Sequence, residues 1–117
     1  KGHGFERAMA ARIREEIGID AKRGLQYFEG VKGPPDIICD HIIIECKARK
    51  RGGFKEAIID AEKNRDTNKS SKMPIGIVKE DRQPIRVILN LDDFLRIFKQ
   101  YVSGINKDTT TTSNSIL

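Results

Sequence analysis

The sequence predicts an α/β domain with a central mixed β-sheet flanked by helices. Two observations carry this. Apolar residues recur at helical spacing in three separate stretches, and isoleucine- and valine-rich strand-like runs lie between them. The resulting order, α-β-(β-β)-α-β-β-α, is that of a layered mixed sheet, and its amphipathic helices exclude an all-β sandwich. A chain of 117 residues can build one domain with a real core and is too short for two ordinary ones.

The first helix is read from "FERAMAARIREEIG", where Phe5, Met9, Ile13 and Ile17 form one apolar stripe and Gly18 ends it. Leu25 to Phe28 is expected to be a strand and Gly30 to Pro35 a turn, because adjacent prolines do not fit a central strand. "DIIC" and "HIIIECKA" read as a strand pair turning at Asp40-His41. "RKRGG" ends the second strand. The helix after it carries Phe54, Ala57, Ile58 and Ala61 on its apolar face. "PIGIVKE" and "IRVILNL" are two further strands joined at "DRQP". The third helix starts at Asn90, an expected N-cap with Asp93 as its capping-box partner, and shows Leu91, Phe94, Leu95 and Phe98 on one face. The chain divides into a domain over 1–102 and a Thr/Ser/Asn-rich tail over 103–117, expected to be mobile because it offers no packing pattern.

Composition narrows the function classes. Net charge is +5, an excess that suits a nucleic-acid partner and a plain solvated surface alike. The two cysteines, Cys39 and Cys46, lie in apolar strand sequence without a CxxC pair. They are expected to be reduced core residues in a reducing, cytoplasmic setting rather than a disulfide or zinc site. No apolar run is long enough to span a membrane, and no signal-peptide pattern opens the sequence. There is no zinc finger, P-loop or GxGxxG motif. No aromatic residues interleave the basic ones, which argues against base stacking as the main binding mode.

The chemistry concentrates in "PPDIICDHIIIECKARKRGG". In an extended "HIIIECKA", His41, Ile43, Glu45 and Lys47 share one face, and Ile42, Ile44, Cys46 and Ala48 share the other. The second face is apolar and belongs against a helix, whereas the first begins apolar and ends charged. In a hairpin, Asp36 at the start of the preceding strand lands beside Glu45 and Lys47. Two neighbouring carboxylates suit a hard divalent cation such as Mg²⁺, which activates water and stabilises charge on a phosphate. An adjacent lysine can orient water or stabilise that charge. The same triplet would also suit a surface ion-pair cluster of little energetic weight.

This segment resembles the PD…ExK signature of the PD-(D/E)xK nuclease superfamily, and within it the archaeal and phage Holliday junction resolvases. "KGHGFER" is similar to the basic segment that leads those enzymes into their first helix, and the resemblance covers about residues 1 to 100. It implies a restriction-endonuclease-like α/β/α fold and a homodimer, in the nucleoid or a phage-infected host cytoplasm, that cuts four-way DNA junctions symmetrically with Mg²⁺ or Mn²⁺. It implies a metal held by Asp36, Glu45, Glu6 and the carbonyl of Cys46, Lys47 positioning the attacking water, and products ending in 5′-phosphate and 3′-hydroxyl. On residue mechanics alone, Glu6 reads as an acid favourably placed in a first helical turn, and only the resemblance gives it a place at the metal. Some relatives carry a glutamine or lysine on the second helix facing the site; this chain offers Asp60, Glu62 and Lys63.

Lys1, His3, Arg7, Arg23, Arg49, Lys50 and Arg51 are the candidate DNA contacts, grouped around the first helix and just past the strand end. "RKR" alone would also serve as a solvated loop. The alternatives are another nuclease of the same superfamily, of nicking, mismatch or restriction type, and a DNA-binding module that does not cut.

Overall fold

The structure is a computed structural model that describes residues 3–24 and 34–116, with side chains from 4 to 24 and from 34 to 107. The expected strand at Leu25–Phe28, most of the expected turn after it, and Lys1 lie outside the described residues. The elements are α1 (His3–Ile17), β1 (Ala21–Arg23), β2 (Ile37–Cys39), β3 (Ile42–Arg49), α2 (Phe54–Thr67), β4 (Met73–Glu80), β5 (Arg86–Ile88) and α3 (Leu91–Ile116). The five strands form one sheet in the order β1-β2-β3-β4-β5. All neighbours are antiparallel except β3 and β4, which run parallel across the α2 crossover. This is the α/β architecture expected from the sequence, a mixed sheet flanked by helices and compatible with restriction-endonuclease-like layering.

The alternation within β3 assigns the two layers. On one face Ile44 and Cys46 join Ile37, Cys39, Ile75 and Ile77 beneath Met9 and Ala10 of α1. Phe5 and Ile13 of the predicted α1 stripe pack against that core, while Ile17 is 67 % exposed beside the helix end. Gly18 closes α1 at φ 80°, and its N–H donates to the Arg14 carbonyl at 3.0 Å. On the opposite face α2 buries Ala57, Ile58 and Ala61, as its periodicity predicts. The hairpin turn falls at Asp40-His41, with His41 in the left-handed region at φ 72°.

Small residues let α2 approach the sheet. Gly76 of β4 pairs with Glu45 of β3. A Cβ on Gly76 would meet the Ala57 Cβ at 2.7 Å, an Ile88 methyl at 2.8 Å and the Ile58 backbone nitrogen at 3.1 Å. The helix therefore packs almost directly on the β4 backbone.

The structure departs from the sequence reading at β5 and at the start of α3. β5 is only three residues long, with Val87 57 % exposed at the sheet edge. At the start of α3, the Asn90 carbonyl accepts the first helical bond from the Phe94 N–H at 2.9 Å. The Asn90 side-chain amide donates to Glu62 of α2, and Asp93 accepts from Arg96, so both residues of the expected capping box have partners elsewhere. α3 continues through the Thr/Ser/Asn-rich segment to Ile116, so the compositional change at 103 is not an element boundary.

Gly76→Ala is expected to destabilise the fold by about 1–3 kcal/mol through overpacking between α2 and β4. Urea denaturation checks this; an unchanged midpoint would show that α2 can retreat without cost.

Candidate functional site

Pairing of Ile37 with Ile44 places Asp36 opposite Glu45, one step further along the β2–β3 hairpin. There side chains take over from the backbone ladder. The Asp36 N–H donates to Glu45 Oε2 at 3.2 Å, and the Cys46 N–H donates to Asp36 Oδ2 at 2.8 Å. The end of β1 is stitched to the same point, because the Gly24 N–H donates to the Asp36 carbonyl at 2.8 Å. A Cβ on Gly24 would lie 2.0 Å from the Pro35 carbonyl oxygen, so only glycine allows this approach. Three chain segments thus converge on Asp36.

Glu45 is in mid-strand and 9 % exposed. Burial, then the charge of Asp36, pushes its carboxyl up to about 8 from an ordinary 4.5, against smaller opposing effects of the Asp36 amide and Lys47. Glu6 reaches the same field from α1. Burial and Asp36 raise its pKa, while Arg23 and Lys47 act to lower it. Arg23 Nε lies 3.3 Å from Glu6 Oε1, yet it has no hydrogen-bond partner, so the contact is an ion pair without hydrogen-bond alignment.

Lys47 is clamped on the α2 side. Its Nζ is 2.8 Å from Asp60 Oδ2 and 3.9 Å from Glu56 Oε2. Burial works to lower its pKa, but the Asp60 hydrogen bond and charge, then Glu56 and Asp36, leave it raised. Lys47 is therefore an ammonium at neutral pH, able to donate and to carry charge but not to act as a base. The Cys46 thiol is pushed up by burial and then by Asp36, Glu6 and Glu45, which makes it a poor nucleophile.

A basic rim adjoins this cluster where the parallel strands end together. Arg49 pairs in register with Glu80. The Asp81 N–H donates to the Arg49 carbonyl at 3.1 Å, the Gly52 N–H donates to Glu80 Oε2 at 2.7 Å, and Arg86 Nη1 is 3.4 Å from Glu80 Oε1. Glu80 thereby ties the 50–53 loop to the β4–β5 turn, and Lys50 and Arg51 on one connection and Asp81 and Arg82 on the other are exposed.

The structure brings together Asp36, Glu45, Lys47 and the Cys46 backbone, with Glu6 coupled to them electrostatically. Arg7 is exposed on α1 next to Glu6. Arg23 faces Glu6 rather than solvent, and Arg49 hydrogen-bonds Glu56 at 2.9 Å. His3 begins α1, with its side chain outside the described ones. Asp60, whose role the sequence left open, holds Lys47, whereas Glu62 is engaged by Asn90 and Lys63 is exposed. Sequence reasoning missed Glu56, Glu80 and Arg82. The βαβ order was the available signal for the last two, since parallel strands joined by a helix must end at the same edge. Among the described residues, no group of three His, Cys, Asp or Glu side chains is arranged to hold a metal ion. A cavity of about 420 Å³ lined by Asp40, His41, Ser71 and Lys72 lies at the other end of β3, away from the carboxylates. None of the described helices is long and apolar enough to cross a membrane.

The raised Glu45 pKa fixes the sign of a pH effect. Between pH 4.5 and about 8 the folded protein holds a proton that the unfolded chain has released. The Glu45 contribution is thus fully present below 4.5 and declines as pH rises toward 8. Denaturant midpoints at the two ends of that window should show the decline in the wild type and a flatter response in Glu45→Gln. An equal slope in both would assign the effect to another group.

No protein-family model matches this chain, and no curated protein matches it.

Proposed function

We propose that the chain is a metal-dependent, structure-selective DNA endonuclease of the PD-(D/E)xK type that acts as a homodimer and resolves four-way junctions by paired symmetric nicks. The observation that carries this reading is the convergence of Asp36, Glu45 and the Lys47 ammonium beside a rim of exposed basic residues. Hydrolysis of a phosphodiester needs those two kinds of surface next to each other.

The donor chemistry fits a hard divalent cation. Asp36 and Glu45 present crowded, desolvated carboxylates whose repulsion a cation would relieve. Mg²⁺ is commonly held by one or two carboxylates together with water and substrate phosphate, so a third protein carboxylate is not required. Asp36, Glu45 and the Cys46 carbonyl would hold Mg²⁺ or Mn²⁺, with Glu6 adding negative field. When bound, the ion supplies an activated water and charge stabilisation at the phosphate. Lys47 donates to that water or to the phosphate oxygens, and Asp60 aims it. Lys50, Arg51 and Arg82, with Arg7, Lys1 and His3 near the start of α1, hold flanking phosphates. Contacts of this kind read backbone shape rather than base sequence, which suits a branched substrate.

One observation favours a second reading, a DNA-binding module that does not cut. Lys47 is already neutralised by Asp60, and the described residues provide no three-carboxylate group.

Incubation with a labelled four-way junction and a matched duplex, in Mg²⁺ or EDTA, separates the two. Paired nicks on the junction alone are expected, lost in EDTA and slowed by about 10²–10³ or more in Lys47→Ala. Cutting of both DNAs would retain the nuclease and remove the junction selectivity. Tight junction binding without cutting in either metal would favour the module. Arg51→Ala and Arg82→Ala should each weaken binding regardless of sequence and lower the salt dependence by about one phosphate contact. An unchanged salt slope would take the rim out of the interface.

A further inference from the structure

The apolar side of α3 faces away from the domain. Leu91, Phe94, Leu95, Ile97, Phe98, Tyr101, Val102 and Ile105 are each between 38 % and 67 % exposed. Asp93, on the other side of the helix, is buried instead. Among the described residues, the first turn is anchored through Asn90 to Glu62 and through Asp93, whose charge reaches Arg65 of α2. Among the described residues, α3 takes no part in the extended packing that joins the other helices and the strands. Phe94 and Phe98 stack on each other at 5.7 Å between centroids, on the open face. A contiguous apolar stripe like this, left open to water, marks an interaction surface.

We propose that this stripe docks on the same stripe of a second copy of the chain, with the two α3 helices antiparallel across a two-fold axis near Phe98. Apolar residues at 91, 94, 95, 98, 101, 102 and 105 repeat at the heptad spacing of a helix–helix seam. The set also maps onto itself when the helix is reversed about Phe98, as an isologous contact requires. Parallel pairing would bring the acidic first turns, with Asp92 and Asp93, together. Antiparallel pairing separates them and opposes the helix dipoles. The pairing rests on the paired-cutting reading and names the surface through which its two copies meet; it is measured without DNA or metal, and a dimer that persists in Phe98→Asp would remove this surface while leaving the homodimer of that reading intact.

Sedimentation of the full chain across a wide concentration range should give twice the chain mass. Phe98→Asp should give a monomer with an unchanged thermal melt of the body, since Phe98 touches solvent rather than core. Orientation is read with a short bismaleimide on single-cysteine additions, because native Cys39 and Cys46 are buried. Phe98→Cys should crosslink to a dimer. Leu91→Cys should not, since its two copies would lie roughly 20 Å or more apart along the antiparallel helices. A wild-type monomer at all concentrations overturns the proposal. So does crosslinking at both positions, which would mean parallel helices, and so does flotation of the wild type with anionic vesicles that Phe98→Asp abolishes, which would make a lipid surface the occupant.

Discussion

Two carboxylates finish a β-ladder, and the rest of the site depends on that substitution. Buried backbone N–H groups must find acceptors. At the open end of the β2–β3 hairpin, Glu45 accepts from Asp36 and Asp36 accepts from Cys46, where carbonyl oxygens would ordinarily serve. The pleat then determines the surroundings. Glu45 shares a face with Lys47 beneath α2, and the Cys46 side chain points into the α1 core. A helix packed on Gly76 removes water from Glu45, and the resulting desolvation makes the negative charge costly enough to matter.

That cost is distributed over several elements. Lys47 and Arg23 supply the nearby positive charge, each held by its own carboxylate, Asp60 and Glu6 respectively. The local field remains negative, while the surface beyond the strand ends is basic through Lys50, Arg51 and Arg82. A polyanion is attracted by the rim and repelled by the centre unless a cation intervenes. The separation of the two signs follows from the parallel β3–β4 pairing, which brings two basic connections to one edge just past the carboxylates.

Alternation along "HIIIECKA" was enough to assign its faces and to bring Asp36 to Glu45, because period-two patterning and hairpin geometry are local properties. The α2 face was legible for the same reason in its helical form. β1 was not, since three residues, Ala21 to Arg23, are too short to display a period. The Lys47–Asp60 contact was hidden because it depends on how far α2 slides over the sheet, a tertiary quantity set by Gly76 and Ala57. Asn90 reads as a cap from its identity, but Glu62 on another helix competes for its amide. The α3 stripe was visible as periodicity, although periodicity identifies an apolar face without saying what covers it.

The chemistry of the two buried thiols has a practical side. Cys46 shares its peptide unit with the hydrogen bond to Asp36, and burial and nearby carboxylates keep its thiol protonated. Cys39 is also buried, with its thiol held in the neutral form mainly by desolvation, and donates weakly to the Ile42 carbonyl at 3.6 Å. Neither sulfur can react with an electrophile while the sheet is closed. Alkylation in native buffer would therefore require β2 and β3 to part from α1, and at reagent concentrations where its rate saturates it times the breathing of the strand pair that carries the carboxylates.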